Sequence, residues 1–140
     1  VVSTPSDDSE SRVLIVDDDP EVAADLADAL AEYDSVAVDD AKSAIELLAN
    51  DKSFAVVLCN VMVPDLTGIV VYDQATRLDP GLASRFIFMT GGAFTTNARE
   101  LAARVHERLL EKPFTAEHLH FLVERVAREE APARRRASAG

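Results

Sequence analysis

The sequence predicts an α/β domain built on a parallel sheet with helices packed on both faces. Short apolar runs alternate with segments of helical period, and the alternation repeats five times along the chain. The apolar runs are continuous, as expected for strands buried on both faces. At 140 residues, nearly half of them hydrophobic, the chain is long enough to bury a core of this kind.

Val13-Leu14-Ile15-Val16 is the first strand, stopped by Asp17-Asp18-Asp19. Pro20 suits the first turn of a helix, and Val22, Leu26, Ala29, Leu30 and Tyr33 recur at helical spacing. Val36-Ala37-Val38 is a shorter strand, followed by a helix marked by Ala41, Ala44, Ile45 and Leu48. The third strand runs from Phe54 to Cys59 and ends at Asn60. After a turn containing Pro64 and Gly68, a third helix carries Ile69, Tyr72 and Ala75, and Asp79-Pro80-Gly81 closes it. Phe86-Ile87-Phe88-Met89 is the fourth strand, ending at Thr90 and Gly91-Gly92. Ala98, Leu101, Ala102 and Val105 mark a fourth helix, and Leu109-Leu110 is a brief fifth strand before Lys112-Pro113. Thr115 is the expected N-cap of a last helix with the face Leu119, Leu122, Val123 and Val126.

Residues 1–11 and 129–140 lack an apolar face and read as linkers around a domain of residues 12–128. A chain beginning with Val and flanked in this way is expected to be a segment of a longer polypeptide. The net charge of −11 argues against general binding to nucleic acid or to an anionic membrane. Arg134 to Arg136 form a short basic run that reads as a solvated tail. No apolar run approaches the roughly 18 residues needed to span a bilayer. A lone cysteine, Cys59, excludes a disulfide framework and fits a reducing cytoplasm.

In an open parallel sheet, ligands bind outside the carboxyl ends of the strands. The residues there are Asp17, Asp18 and Asp19 after the first strand, Asn60 after the third, Thr90 after the fourth and Lys112 after the fifth. Hard oxygens, a hydroxyl and an ammonium on one edge suit a divalent cation such as Mg²⁺ together with a phosphoryl group. Singly, each has a plain structural reading: acids before a helix cap it and complement its dipole, and a Thr before Gly-Gly makes a turn. Their succession along the strand ends is what gives them weight.

Four stretches in order make the sequence resemble the receiver (CheY-like) domain of two-component response regulators, from Arg12 to Arg128. They are Val13 to Pro20, Asn60 to Pro64 with Gly68, Phe88-Met89-Thr90-Gly91, and Glu111-Lys112-Pro113-Phe114. The resemblance implies a flavodoxin-like (βα)5 sandwich with strand order 2-1-3-4-5. It also implies an aspartate that accepts a phosphoryl group from a histidine kinase. Asp17 and Asp18 match the acidic metal pair, with Asp18 a direct Mg²⁺ ligand, and Met62 would offer its backbone carbonyl. Thr90 matches the hydroxyl and Lys112 the lysine that attend the phosphoryl group. Asp39 and Asp40 are set aside, because their strand would lie at the sheet edge, away from this pocket.

Asn60 departs from the pattern at the acceptor position. A neutral amide oxygen is a poor nucleophile, so ordinary aspartyl phosphorylation should be absent. Two carboxylates 4 Å apart repel by roughly 4 kcal/mol at an effective dielectric of 20, and a cation offsets that repulsion. With Asn60 as one of its ligands the Mg²⁺ site is expected to be looser, with Lys112 leaning toward Asp17 and Asp18. Two accounts of Asn60 stand: a degenerate receiver working through constitutive protein contacts, or an exchanged residue holding an ordinary receiver in its unphosphorylated state. Leu109, three residues before Lys112, stands where the family often has an aromatic ring, so a ring-swing switch is in doubt.

The expected partners are a histidine kinase or phosphotransfer domain, or other domains of a parent chain such as a hybrid histidine kinase. A homodimer through the fourth helix, fifth strand and last helix is a further expectation, with Arg99, Arg104, Arg108 and Arg125 placing basic groups on that side. His106, His118 and His120 show no ligand register. Cys59 is expected in the core. The rival readings are a dehalogenase-type phosphatase, whose Asp-x-Asp spacing Asp17 and Asp19 permit, and a flavodoxin-like small-molecule binder. The first lacks its cap and later acidic motif, and the second would meet acidic strand ends that repel phosphate.

Overall fold

The computed structural model describes residues 12–61, 68–90 and 108–139, with side chains as far as Glu129. The elements are β1 (Arg12–Val16), α1 (Pro20–Ala29), β2 (Asp34–Val38), α2 (Ala41–Asn50), β3 (Phe54–Asn60), α3 (Gly68–Leu78), β4 (Phe86–Thr90), β5 (Leu109–Glu111) and α4 (Ala116–Ala139). The sheet is parallel throughout, in the order β2-β1-β3-β4-β5. This is the flavodoxin-like order expected from the sequence. The fourth helical segment, over Ala98 to Val105, lies outside the described residues, so α4 corresponds to the last helix of the sequence reading.

Strand alternation divides the core between the two faces of the sheet. Val13, Ile15, Leu58, Ile87, Met89 and Leu110 pack under α1 and α4, against Leu26, Leu30, Leu122 and Val123. Leu14, Val16, Val57, Cys59, Phe86 and Phe88 pack under α2 and α3, against Ala44, Leu48, Val71 and Tyr72. The register slips between Arg12 and Val13, so that Arg12 pairs with Phe54 but Val13 with Val56. The extra residue, Ala55, makes a bulge, which keeps both Phe54 and Val57 on the α2–α3 face. Tyr72 meets the edges of Phe86 and Phe88 at 5.2 and 5.5 Å between ring centroids, a favourable aromatic geometry.

Side-chain caps start the helices where the sequence places them. The Asp19 carboxylate accepts from the Glu21 N–H at 2.9 Å, with Pro20 at the first helical position. Thr115 Oγ1 accepts from the His118 N–H at 3.0 Å. A 3₁₀ helix over Pro80–Arg85 follows α3, where only a closing turn was expected. It is too short to show a period, and buried Leu82 anchors it to the core. The backbone of α4 stays helical to Ala139, past Arg128, where the sequence reading ends the domain. Glu, Ala and Arg are good helix formers, and a helix nucleated by a buried face extends cheaply.

Candidate functional site

The strand register brings the carboxyl ends level with one another. Val16 pairs with Cys59, so Asp17 follows at the level of Asn60. Asn60 pairs with Met89 and Thr90 with Glu111, so Lys112 begins one step beyond Thr90. Backbone bonds tie these ends across the sheet. The Asp17 N–H donates to Val38 O at 3.1 Å, the Val61 N–H to Met89 O at 2.9 Å, and the Lys112 N–H to Thr90 O at 2.7 Å. The Lys112–Pro113 peptide is cis.

Asp17 is the buried acid of this edge, 2 % exposed. Its Oδ1 accepts from the Asp19 N–H at 3.0 Å. Its Oδ2 is buried and makes no hydrogen bond among the described residues, and its nearest counter-charge is Lys112 Nζ at 3.8 Å. That distance is an ion pair without hydrogen-bond contact. Asp18 and Asp19 are exposed, and Asp19 is occupied as the α1 cap. Asn60 and Thr90 are both buried polar residues.

Asn60 is held by its backbone as well as by its strand. The Gly68 N–H donates to Val61 O at 2.7 Å, which turns α3 back onto the end of β3. A Cβ on Gly68 would stand 2.6 Å from Asn60 O, closer than real Cβ atoms come. The sequence marks Gly68 as a breaker; its close approach to Asn60 emerges only from the fold.

A buried carboxylate oxygen without a hydrogen bond, an exposed carboxylate beside it and an amide at the same level are donors suited to a hard divalent cation. Met62, the remaining expected ligand, lies outside the described residues. Among the described residues no three His, Cys, Asp or Glu side chains converge as a metal cluster. Any such ion would therefore depend on amide and backbone oxygens beside Asp17 and Asp18.

The neighbouring candidates fall into structural roles. Cys59 packs on the α2–α3 side, and burial, with the Asp17 charge behind it, pushes its thiol up to about 12. His120 pairs with Glu32, and its Nδ1 lies 3.6 Å from Glu124. Arg108 turns inward to donate to Ala83 O and Phe86 O, so it does not serve the outer basic face expected from the sequence. Arg125 pairs along its own helix with Glu129 at 3.2 Å. Arg99, Arg104 and His106 lie outside the described residues. Asp39, set aside at the sequence level, lines a cleft of about 560 Å³ that Asp17 also lines.

A doubly wound parallel domain with acids, an amide, a hydroxyl and a lysine along its carboxyl edge is the form of a phosphorelay signalling module. The chain belongs to the response regulator receiver domain family, whose model matches residues 13–124. It is 32 % identical over 117 residues to the response regulator receiver protein CpdR of Brucella abortus, covering 82 % of this chain and 92 % of that protein. A CheY-like receiver domain from Methanospirillum hungatei superposes with a TM-score of 0.77 at 23 % identity, over 88 % of this chain and 98 % of its own. The receiver domain of a sensor histidine kinase from Pseudomonas aeruginosa, solved with magnesium in its active-site cleft, gives 0.74 at 19 % identity, over 84 % and 97 %. These two share the fold. The family match favours a two-component receiver over the phosphatase and nucleotide-binder alternatives. None of the described helices is long and apolar enough to cross a membrane.

Proposed function

We propose that this chain is a receiver that retains the cation-and-phosphate cradle of its family and lacks the nucleophile. The observation that carries the reading is Asn60 at the end of β3, level with Asp17, where the family resemblance implies an aspartate. Its amide oxygen carries no formal charge and does not attack phosphorus usefully. The chain then signals through protein contacts made in one standing state, as a degenerate or inactivated receiver.

In this reading Asp17, Asp18, the Asn60 side-chain oxygen and the Met62 carbonyl would hold Mg²⁺, as a Pseudomonas aeruginosa relative holds magnesium in its cleft. The ion, when bound, supplies positive charge for phosphoryl oxygens. Replacing one of three carboxylates by an amide weakens its attraction. Thr90 and Lys112 are placed to contact an anion. Partners are a histidine kinase, a phosphotransfer domain or other domains of a longer parent chain in the cytoplasm. Nucleic acid and membrane do not contact the domain directly, and the β5–α4 side, with the segment before it, is the candidate homodimer surface. Residues 1–11 and 129–140 act as the linkers.

Beryllofluoride, which attaches to a carboxylate in the manner of a phosphoryl group, tests this with Mg²⁺ present. Amide NMR spectra of the unaltered chain should not change beyond the Mg²⁺ effect. The Asn60→Asp variant should shift at Thr90 and Lys112. A full beryllofluoride response from the unaltered chain would refute the reading.

A further inference from the structure

The pocket that would hold a divalent ion carries a cation of its own. The Asp17 side chain is 1 % exposed, and the ammonium of Lys112, whose side chain is 33 % exposed, lies 3.8 Å from its Oδ2. That oxygen is closed to solvent and accepts no hydrogen bond among the described residues, while Oδ1 is committed to the Asp19 N–H. Charge from Lys112 therefore compensates the buried oxygen. The root of the lysine is fixed by the pairing of β4 with β5 and by its N–H, which donates to Thr90 O at 2.7 Å. Resting on the receiver reading, we infer that Lys112 is the resident counter-ion of Asp17 and competes with the divalent ion, so that this pocket is set for its ion-free state.

The charge balance at the rim gives the competition its weight. Asp17 and Asp18 each bring a negative charge, Asn60 brings none, and Lys112 cancels one of the two. Asp17 is the only buried acid among the described residues, so the ammonium has one buried carboxylate to serve and does not divide itself between two. A divalent ion reaching Oδ2 would have to open a space closed to solvent and displace a like charge already there. Lysine suits such a place, being a compact charge on a flexible stem that can swing back to water. Ion affinity is then set by Lys112 as much as by Asn60. The pocket keeps one arrangement over a range of Mg²⁺ concentration, as a receiver working through constitutive contacts requires.

Mg²⁺ is the probe, titrated at constant ionic strength into the full chain and followed by ¹⁵N–¹H NMR at Asp17 and Asp18. Lys112→Met and Lys112→Gln should each bind the ion at least about tenfold more tightly than the unaltered chain, since each removes a like charge from beside the ion. Lys112→Arg keeps that charge and should stay within about threefold of the unaltered chain. Lys52→Met removes the same charge from an exposed position at the opposite end of the sheet and should change affinity by less than about twofold. Where a neutral variant is unfolded without the ion, Mg²⁺ should restore its folded spectrum. Unchanged affinity in both neutral variants, equal tightening by Lys112→Arg or Lys52→Met, or no recovery of an unfolded variant would each overturn the proposal. Such a failure leaves the missing nucleophile standing, because the beryllofluoride response of the unaltered chain decides that reading separately.

Discussion

Lys112 Nζ lies 3.8 Å from Asp17 Oδ2, and among the described residues Lys112 is the nearest positive charge to a carboxylate that is almost entirely buried. The two residues are 95 positions apart in sequence and meet because β1 and β5 end on the same rim of the sheet. A buried carboxylate deprived of its counter-charge costs more than the pair itself contributes. Lys112→Met keeps most of the stem and removes the charge. Urea unfolding at neutral pH should show a loss of about 1–3 kcal/mol, below the roughly 3–5 kcal/mol of a fully buried pair because Lys112 is partly exposed. Lys52→Met, at an exposed position, should change stability by less than about 0.5 kcal/mol.

Gly68→Ala sets helix propensity against packing. Propensity alone predicts a gain of up to about 1 kcal/mol in α3. The added methyl group would press on Asn60 O at 2.6 Å, and that neighbour is backbone, so it cannot swing aside. A net loss of about 1–3 kcal/mol is expected, read as a lower urea midpoint. A stabilised variant would show that the β3–α3 turn is not tightly packed.

Much of the fold was legible because the strands announce themselves as apolar runs and the helix caps are local. Asp19 and Thr115 cap the helices that the sequence assigns to them. Asp17, Asn60, Thr90 and Lys112 could be placed on one edge from their positions after the strands alone. What stayed hidden depends on long-range geometry. The Ala55 bulge needs the partner strand to be seen, Arg108 reveals its inward course only through Ala83 and Phe86, and Asp39 joins Asp17 only across the cleft beside α1.

Cys59 should be inert while the domain is folded. Burial holds its thiol at about 12 against an ordinary 9.0, so little thiolate exists at neutral pH and the sulfur is inaccessible. Labelling by a disulfide reagent should follow the unfolding rate, and rapid labelling of the native chain would contradict the burial. Because the folded value is the raised one, the stability it contributes is complete below about pH 9. It is lost as pH rises toward about 12.

His120 and Glu32 join α4 to the turn after α1. The pairing with Glu32 raises the His120 value and lowers that of Glu32. The histidine contribution is present below its unfolded value, about 6.5, and is lost as pH rises through the folded value. The glutamate contribution is present above its unfolded value, 4.5, and is lost as pH falls through its lowered folded value. Coupling in a His120→Gln and Glu32→Gln double-mutant cycle should therefore peak between about pH 4.5 and 6.5. Glu32 is exposed and His120 partly so, and the pair should therefore stay under about 1 kcal/mol and fall with salt. Coupling that grows above pH 8 would contradict the pairing.

The most direct measurement treats the chain and its Asn60→Asp variant with acetyl phosphate and Mg²⁺ and reads intact mass. The unaltered chain should gain no hydroxylamine-labile phosphoryl group, and the variant should gain one. A labile adduct on the unaltered chain, or none on a folded Asn60→Asp variant, would contradict the claim that this pocket lacks only its nucleophile.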